Sequence, residues 1–423
     1  MDSAAAPTAA ATAAAPPSRP AHRDANVLRW LAAYAASLVG DSVYFLALGW
    51  AAAQTGDAGQ VGLVLAAGAV PRAILMLGGG VVADRLGPRR IVIASDAVRC
   101  AVVLALAAVL ALAAPGLWPL VAVALVFGVV DALFMPAVGA LPPRITGPDQ
   151  LVRVQGMRML AARVGTVGGP PLAGFAMGAG GTATAFGLAG GLFAVSLVLL
   201  VAVRVAPLPT DGATTGSGPA ESPWGQLRDG LRHIRRHPRT GPLVLSLALT
   251  ELGGIPLLNV GLVLLAAERG WGPSGIGWIV SAFGAGAAAG ALLLTLVRHV
   301  PRAGAVQIAA TAVQAAGLGA LGLAPGLGAA VALAGAVGLV CGVCGAVATG
   351  LVQTATEPAY LGRVSSVLAL TSVGLAPLAY PLFGYAIQLW GAAPVFVAGA
   401  AVSACGAVVG LLAPGVRRAE LVR

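Results

Sequence analysis

The stretch Gly80-Val81-Val82-Ala83-Asp84-Arg85-Leu86-Gly87-Pro88-Arg89-Arg90 decides the fold, because it places four charges within seven residues between two long apolar runs. The runs on either side, 61–83 and 91–112, are each long enough to cross a bilayer core of about 30 Å. Gly87 tolerates a positive φ and Pro88 fixes the next turn, while Gly80 lets a neighbouring helix approach closely. The stretch therefore predicts a short, stiff loop between two membrane-spanning helices.

The composition of the whole chain is that of a polytopic membrane protein. Of its 423 residues, 58% are hydrophobic and only 9% are charged, and the mean hydropathy is +0.91. Soluble domains carry about a quarter charged residues. All 25 basic residues are arginines, and they are dispersed between apolar runs and not gathered on one soluble face, which argues against nucleic-acid binding.

Apolar runs of spanning length recur along the chain and predict twelve membrane spans. We expect them at 27–53, 61–83, 91–113, 117–140, 151–178, 183–205, 241–267, 274–297, 303–323, 327–350, 364–389 and 393–412. With the N-terminus placed inside, the arginines of the loops and tails fall on the inner side, and only Arg269 falls outside. The positive-inside rule then predicts a multi-pass protein of the cell membrane with both termini in the cytoplasm.

The longest connection divides the chain into two halves. We expect a disordered cytoplasmic tail at 1–26, a six-helix bundle at 27–205, a cytoplasmic linker at 206–240, a second bundle at 241–412 and a basic tail at 413–423. In the linker, Trp224, Leu227, Leu231 and Ile234 share one helical face, with arginines opposite. This pattern predicts a basic helix lying on the inner membrane surface, with a solvated linker as the alternative.

No group of residues predicts catalysis or metal binding. The four histidines lie in the tail or inner loops, and the four cysteines lie inside apolar runs. Cys341 and Cys344 could bind a metal or act in redox chemistry, but they are best interpreted as small residues of a glycine-rich helix. The glycines of 284–290 sit inside a span with no strand before them, so they predict helix packing and not a dinucleotide loop. With no phosphate-binding loop, we expect no enzyme, no cofactor and a proton gradient as the energy source.

The opening stretch, of pattern G-x-x-x-D-R-x-G-x-R-R, resembles the loop between the second and third helices of the major facilitator superfamily of transporters. Its second-half counterpart, 296–302, keeps the basic character without the aspartate. Five further stretches resemble the enterobactin-exporter and macrolide-efflux group: 38–44, 95–99, 136–137, 231–238 and 357–364. The resemblance implies an all-α membrane protein whose twelve transmembrane helices form two pseudo-symmetric six-helix bundles.

The resemblance also assigns two motifs. The fifth span resembles the Gly-Pro motif of the antiporter branches, which favours export; its residues are Gly165, Gly169, Pro170 and Gly174. By resemblance, the loop acid Asp84 meets the start of the eleventh helix, where Arg363 stands, and closes the inner side when the transporter faces outward. The predicted gate comprises Gly80, Asp84, Arg85, Gly87, Arg89, Arg90 and Arg363.

Charges deep in the bilayer are energetically costly, so each one is expected to have a partner or a function. Asp41 and Glu251 lie near the middle of the first and seventh spans, which line the central cavity in this superfamily. Burial favours the neutral form of a carboxyl group, so these two are our candidates for proton coupling, against the alternative of structural hydrogen bonds. Arg72 could receive an anionic substrate group or pair with Asp41 or Asp131.

Three further predictions complete the sequence interpretation. Asp96 and Arg99 are three residues apart and are expected to form a self-satisfied structural pair. We predict a proton-coupled exporter of a small organic molecule, such as a drug, siderophore or secondary metabolite, working by alternating access. An uptake transporter or lipid translocator is the alternative within transport, and a membrane-embedded enzyme or sensor is a remote one. We expect a monomer whose partners are the substrate and membrane lipids.

Overall fold

The structure is a computed structural model that describes residues 20–113, 116–205, 223–297, 300–357 and 360–420. Within these ranges only the backbone is described at 76–85, 223–224, 226–227, 366, 372–373 and 375–376. Most of the predicted N-terminal tail and the part of the predicted linker at 206–222 lie outside the described residues. The predicted domain boundaries therefore stay a prediction.

The first half is a set of long helices that we number in chain order. They are α1 (Ala25–Thr55), α2 (Ala58–Leu86), α3 (Pro88–Leu112), α4 (Trp118–Gly139) and the continuous element Leu151–Val201. This last element is two helices, because Gly180 and Gly181 have non-helical angles and Gly181 has a φ of +74°. We call residues 151–179 α5 and residues 182–201 α6.

The second half begins with an amphipathic helix, Pro223–Arg236, which we call the linker helix. It is followed by α7 (Thr240–Glu268), α8 (Gly272–Leu296), α9 (Ala303–Gly322), α10 (Leu327–Ala355), α11 at 361–390 and α12 (Ala392–Leu412). Wider π-turns interrupt α7 at Leu257–Gly261 and α11 at Leu370–Leu375. Both turns lie next to a proline, Pro256 or Pro377, which cannot donate a helical hydrogen bond.

The described helices agree with the predicted spans to within a few residues. Ten helical stretches are long and apolar enough to cross a membrane. One of them, Pro148–Val201, is 54 residues long and contains both α5 and α6. Helix α11 is not among these ten, because it is interrupted and each of its pieces is too short to cross a membrane. The described chain is therefore consistent with twelve spans.

The helices of each half pack mainly on one another, and the packing repeats. In the first half α2 packs on α4 and α3 packs on α6; in the second half α8 packs on α10 and α9 packs on α12. Each second-half pair is the first-half pair displaced by six helices. The halves meet where α2 packs on α11 and where α5 packs on α8. This is the architecture of two pseudo-symmetric bundles that the resemblance implies.

The two ends of the helices differ in charge. Both described chain ends and the connections after α2, α4, α6, α8 and α10 lie at one end, which we call the basic end. Among the described arginines outside helix interiors, Arg269 alone lies at the opposite end. At the basic end, the connection between α2 and α3 is a single residue, Gly87, with a φ of +83°, and Pro88 begins α3. The connection is therefore short, as predicted.

The described contacts between the halves run from the middle of the membrane to the opposite end. Between α5 and α8, the Ser281 hydroxyl donates to the Val167 carbonyl at 2.7 Å, and the Ser274 hydroxyl donates to the Gly174 carbonyl at 3.3 Å. A Cβ placed on Gly277 would lie 2.6 Å from the Pro170 carbonyl oxygen, so the backbones touch. The halves are therefore closed against each other at the opposite end.

Small residues bring neighbouring helices together within a half as well. On α8, a side chain at Gly286 would collide with the Gly335 carbonyl of α10, and one at Gly290 would collide with the Leu339 carbonyl. Close approach of this kind is how helices gain packing energy in lipid. The predicted role of the glycines at 284–290 in helix packing is confirmed.

Candidate functional site: a charged network beside the central cavity

A cavity of about 420 Å³ lies between the two halves near the middle of the membrane. Its wall is formed by α1, α2, α4 and α5 of the first half and by α7, α8 and α11 of the second. The aromatic part of the wall is Tyr44, Phe45, Phe127 and Tyr380, and the polar part is Ser42, Arg72, Asp131, Thr166 and Asn259. A largely apolar cavity with a few polar groups is suited to a small organic ligand.

The aromatic wall is built by packing between α1 and α4. The rings of Tyr44 and Phe127 are stacked with centroids 3.9 Å apart, and Phe45 meets Phe127 edge to face at 5.5 Å. The buried Tyr44 hydroxyl has no hydrogen-bond partner in the described part of the chain. Because the hydroxyl is buried, the part of Tyr44 that borders the cavity is its ring.

Arg99 on α3 is the centre of a charged network behind this wall. Its side chain is buried, and Nη1 lies 3.5 Å from Asp96 Oδ1 and 3.7 Å from Asp41 Oδ1. Nη2 donates to Asp131 Oδ1 of α4. The guanidinium also lies over the Phe134 ring, 4.0 Å from its centroid. Because a buried charge is costly unless paired, Arg99 holds α1, α3 and α4 in a fixed relation.

Asp96 is additionally held by two hydroxyl groups. Ser37 of α1 donates to Asp96 Oδ1 at 3.3 Å, and Ser196 of α6 donates to Oδ2. The predicted pair between Asp96 and Arg99 is present, but the expectation that the pair is self-satisfied is wrong. Arg99 reaches three carboxylates on three helices, because α1 and α4 pack on either side of it.

Arg72 connects the network to the cavity. Its Nη1 lies 2.9 Å from Asp131 Oδ2, while the other oxygen of Asp131 accepts from Arg99. Asp131 is buried, whereas the Arg72 side chain is 32% exposed and lines the cavity. A continuous series of charges therefore runs from the cavity through Arg72, Asp131 and Arg99 to Asp41. Of the partners that the sequence allowed for Arg72, the structure brings it to Asp131.

The network contains more acids than bases. Three carboxyl groups, Asp41, Asp96 and Asp131, face two guanidinium groups, Arg72 and Arg99. Asp41 is the least satisfied of the acids, since its buried Oδ1 accepts no hydrogen bond and its ion pair with Arg99 is the longest of the four. One added proton would balance the charges of the network.

Neither predicted proton-coupling acid lines the cavity itself. Helices α1 and α7 do contribute to the wall, but Asp41 points into the first bundle. Glu251 on α7 is half-buried, and its Oε2 accepts a hydrogen bond from the Thr371 hydroxyl of α11 at 3.1 Å. Glu251 is therefore placed between two helices that both border the cavity, within the second half.

The predicted gate is described only in part. Gly80, Asp84 and Arg85 fall in the stretch of α2 whose side chains are not described, so the expected contact of Asp84 with Arg363 lies outside the described residues. Arg89 donates to the Val201 carbonyl at 3.0 Å, and Arg90 is exposed. Arg363 Nη1 lies 3.9 Å from Asp229 Oδ2 of the linker helix.

The predicted Gly-Pro motif has two packing faces. A Cβ on Gly165 would lie 2.8 Å from the Leu38 Cβ, and Gly169 faces Ser42, so this part of α5 packs on α1 of its own half. Gly174 faces the Pro273 carbonyl of α8, with only 2.8 Å available to a Cβ, and the Pro170 carbonyl faces Gly277 of α8. The motif joins the first bundle to the second.

Sequence reasoning located the buried charges but missed how they are connected. It gave Arg99 a structural role only, and it did not single out Ser37, Ser196 or Asn259. One signal was available: the arginines and aspartates inside spans are concentrated in the first half, where a shared network could satisfy them.

The fold, the cavity between two bundles and the charged network define a multi-pass membrane transporter and not an enzyme. The family model of the Major Facilitator Superfamily matches residues 30–260. This chain belongs to that superfamily.

Relatives and solved structures agree with this assignment. The chain is 26% identical over 318 residues to the enterobactin exporter EntS of Shigella boydii, covering 74% of this chain and 73% of the relative. A crystal structure of a variant of the nucleoside transporter NupG has a TM-score of 0.73 at 12% identity, covering 92% of this chain and 100% of the other. A POT family transporter in complex with 5-aminolevulinic acid has a TM-score of 0.69 at 13% identity, covering 92% and 96%.

Proposed function

We propose that this transporter exports a small organic molecule in exchange for protons, by alternating access of the central cavity. The observation that carries the proposal is the series of charges from Arg72 at the cavity to Asp41 in the bundle, with one more acid than base. Such a network changes its charge when it takes up a proton, and Arg72 senses that change at the cavity wall.

The proposal places the basic end in the cytoplasm. The concentration of arginines at that end supports this orientation under the positive-inside rule. Since the halves are closed against each other at the opposite end, the described conformation would then be closed to the outside. A substrate would enter from the cytoplasm and leave after the halves rock to the other arrangement.

Competition for Asp131 gives a coupling mechanism. Ionised Asp131 is shared by Arg72 and Arg99, and an amine or hydroxyl group of the substrate could bind it in place of Arg72. A proton on Asp131, or a proton on Asp41 that leaves Arg99 to pair more fully with Asp131, would remove this acceptor and displace the substrate. Release of the proton restores the acceptor, so that proton and substrate bind in turn, as exchange requires. Glu251 on α7 is the second candidate for a proton site, acting from the other half.

The chemistry of the cavity supports a substrate class. Ring faces from Tyr44, Phe45, Phe127 and Tyr380 would bind an aromatic or otherwise flat apolar group, and Asp131 would bind an amine or hydroxyl group. Export is supported by the Gly-Pro motif on α5 and by the relative named as an enterobactin exporter. We therefore propose an amphipathic aromatic substrate, in the range of drugs, siderophores and secondary metabolites.

The experiment compares export by cells with and without the protein, using aromatic amines, phenols and antibiotics, and then measures flux of the exported compound in vesicles. We expect an imposed pH gradient to drive flux, and Asp41→Asn or Asp131→Asn to remove the response to the gradient. Asp57→Asn is the control, since Asp57 lies in the short connection between α1 and α2 at the opposite end. Flux that ignores the gradient in the unaltered protein would overturn proton coupling, and accumulation of the compound would overturn export.

A further inference from the structure

A second cavity, of about 500 Å³, lies at the basic end, away from the central one. It is enclosed by the start of α7, the end of α10 and the segment that follows α12. Its floor is apolar and buried, formed by Leu243, Leu351 and Val416. Two exposed arginines, Arg239 and Arg418, line the same cavity.

The segment after α12 is a fixed wall and not a loose tail. The Gly304 amide at the start of α9 donates to the Ala419 carbonyl at 2.9 Å. Val416, in the short helix Pro414–Arg417, is 3% exposed. Gly415 packs against Arg239, with only 2.9 Å available between a Cβ and the Arg239 Cγ. This docking brings Arg418 and Arg239 to one cavity, although they are far apart in sequence.

The charges of this cavity are not neutralised within the protein. Neither Arg239 nor Arg418 has an ion-pair partner among the residues that the structure describes. Glu420 is the one acidic residue among the described residues of the lining, so the cavity carries a net charge of +1 from two arginines and one glutamate. Two guanidinium groups above an apolar floor are matched to a phosphate group attached to a hydrocarbon body.

We propose that this cavity binds the phosphate of an anionic phospholipid headgroup. The position of the cavity favours a lipid source over soluble phosphate, because it lies where α7, α10 and α12 reach the end of the bilayer. The two arginines bind the phosphate oxygens, and Leu243, Leu351 and Val416 contact the glycerol and the first acyl carbons. Basic residues beside a membrane attract anionic lipids in the same way, by about fivefold in affinity for each arginine.

The test is native mass spectrometry of the full, delipidated protein after addition of phosphatidylglycerol, phosphatidylcholine or glycerol phosphate. We expect retention of phosphatidylglycerol above phosphatidylcholine, and about fivefold weaker retention in Arg239→Gln and in Arg418→Gln. Arg417→Gln is the matched control, because Arg417 lies in the same segment but does not line the cavity. Glu420→Gln should strengthen retention, since it removes the one repelling charge.

Each outcome decides the proposal. Selective loss of phosphatidylglycerol in Arg239→Gln and Arg418→Gln, with Arg417→Gln unchanged, supports the lipid site. Binding of glycerol phosphate that shows the same variant pattern, with no gain from the acyl chains, supports the phosphate site and assigns it to a soluble source. Equal retention by all the variants, or no preference for phosphatidylglycerol over phosphatidylcholine, overturns it. Thermal unfolding of each variant, measured without lipid, separates loss of binding from loss of folding.

Discussion

At the scale of single residues, the charged network depends on where one guanidinium is placed. Arg99 is buried in the first bundle and is surrounded by Asp41, Asp96 and Asp131 from three helices. Arg72 extends the network towards the cavity through its ion pair with Asp131. Two ion pairs thus connect the interior of the first bundle to the central cavity.

Replacing Arg99 should destabilise the protein strongly. In Arg99→Leu the buried carboxyl groups of Asp41 and Asp96 lose their ion pair and Asp131 keeps only Arg72, and breaking a buried ion pair from one side costs about 3–5 kcal/mol. We expect the thermal unfolding temperature in detergent to fall clearly at neutral pH. At acidic pH the fall should be smaller, because protonation neutralises the acids. Arg163→Leu is the control, since Arg163 is exposed. An unfolding temperature equal to that of the control would show that Arg99 does not hold the bundle together.

Glu251 should affect coupling and not folding. Glu251→Gln keeps an oxygen that can accept the hydrogen bond from Thr371, but it cannot exchange a proton. We expect transport in proteoliposomes to continue downhill and to lose part of its dependence on the pH gradient. Unchanged proton dependence would remove Glu251 from the mechanism and leave the network of the first half as the coupling site.

The sequence predicted the identity and depth of these residues, but not their partners. Asp41, Arg72 and Glu251 stand out because a charge inside an apolar run is rare. Which acid meets which base depends on helix rotation and packing, and one sequence does not contain that information. For this reason Arg99 was given a local partner, Asp96, when its strongest contact is with Asp131 of another helix.

At the scale of helices, α5 and α8 form an interface through backbone contact. Glycines and serines there leave no side-chain layer between the two helices. In such an interface the two helices can separate without repacking a layer of interlocked side chains. It suits a contact that must form and break in each transport cycle.

Filling this interface should open the opposite end. In Gly277→Val the added side chain would collide with the Pro170 carbonyl, so α5 and α8 should separate. We expect Ser274→Cys, in a protein whose four native cysteines are replaced by alanine, to react several-fold faster with a water-soluble thiol reagent when Gly277→Val is added. Gly187→Val is the control, because nothing lies within 4 Å of a Cβ at Gly187. Equal rates in both would contradict the closed interface.

The loop between α2 and α3 should act on the conformation in which the basic end is closed and the opposite end is open. By resemblance to the superfamily, Asp84 pairs with Arg363 when the basic end closes, so Asp84→Asn should abolish or strongly slow transport. Insertion and thermal stability should stay as in the unaltered protein. Normal transport by a correctly inserted variant would remove Asp84 from the gate, and Asp57→Asn serves as the matched change outside it.

Helix positions were predictable and helix irregularities were not. Apolar runs located the spans because length and hydropathy are local properties of the sequence. The π-turns in α7 and α11 have no such signal. A proline marks only where a helix can be distorted, and packing decides the form that the distortion takes.

At the scale of the whole molecule, the two bundles enclose a cavity that neither forms alone. Four helices of the first half and three of the second contribute to its wall. The ionised groups near the cavity belong to the first bundle, whereas the second contributes mainly apolar groups and Asn259. We infer that the first bundle supplies the charged groups of the cavity wall and that the second completes the binding surface.

The two-glycine connection between α5 and α6 gives these bundles a mechanical link. Only Gly180 and Gly181 depart from helical geometry there, so a movement of α5 is passed directly to α6. Helix α5 contacts the other half at Ser281 and Gly277, and α6 carries Ser196, which donates to Asp96. Rocking of the halves would therefore displace the Ser196 hydroxyl from Asp96 and change how strongly that acid holds a proton. The movement of the bundles and the proton affinity of the network would then influence each other through the covalent chain, with no contact across the cavity.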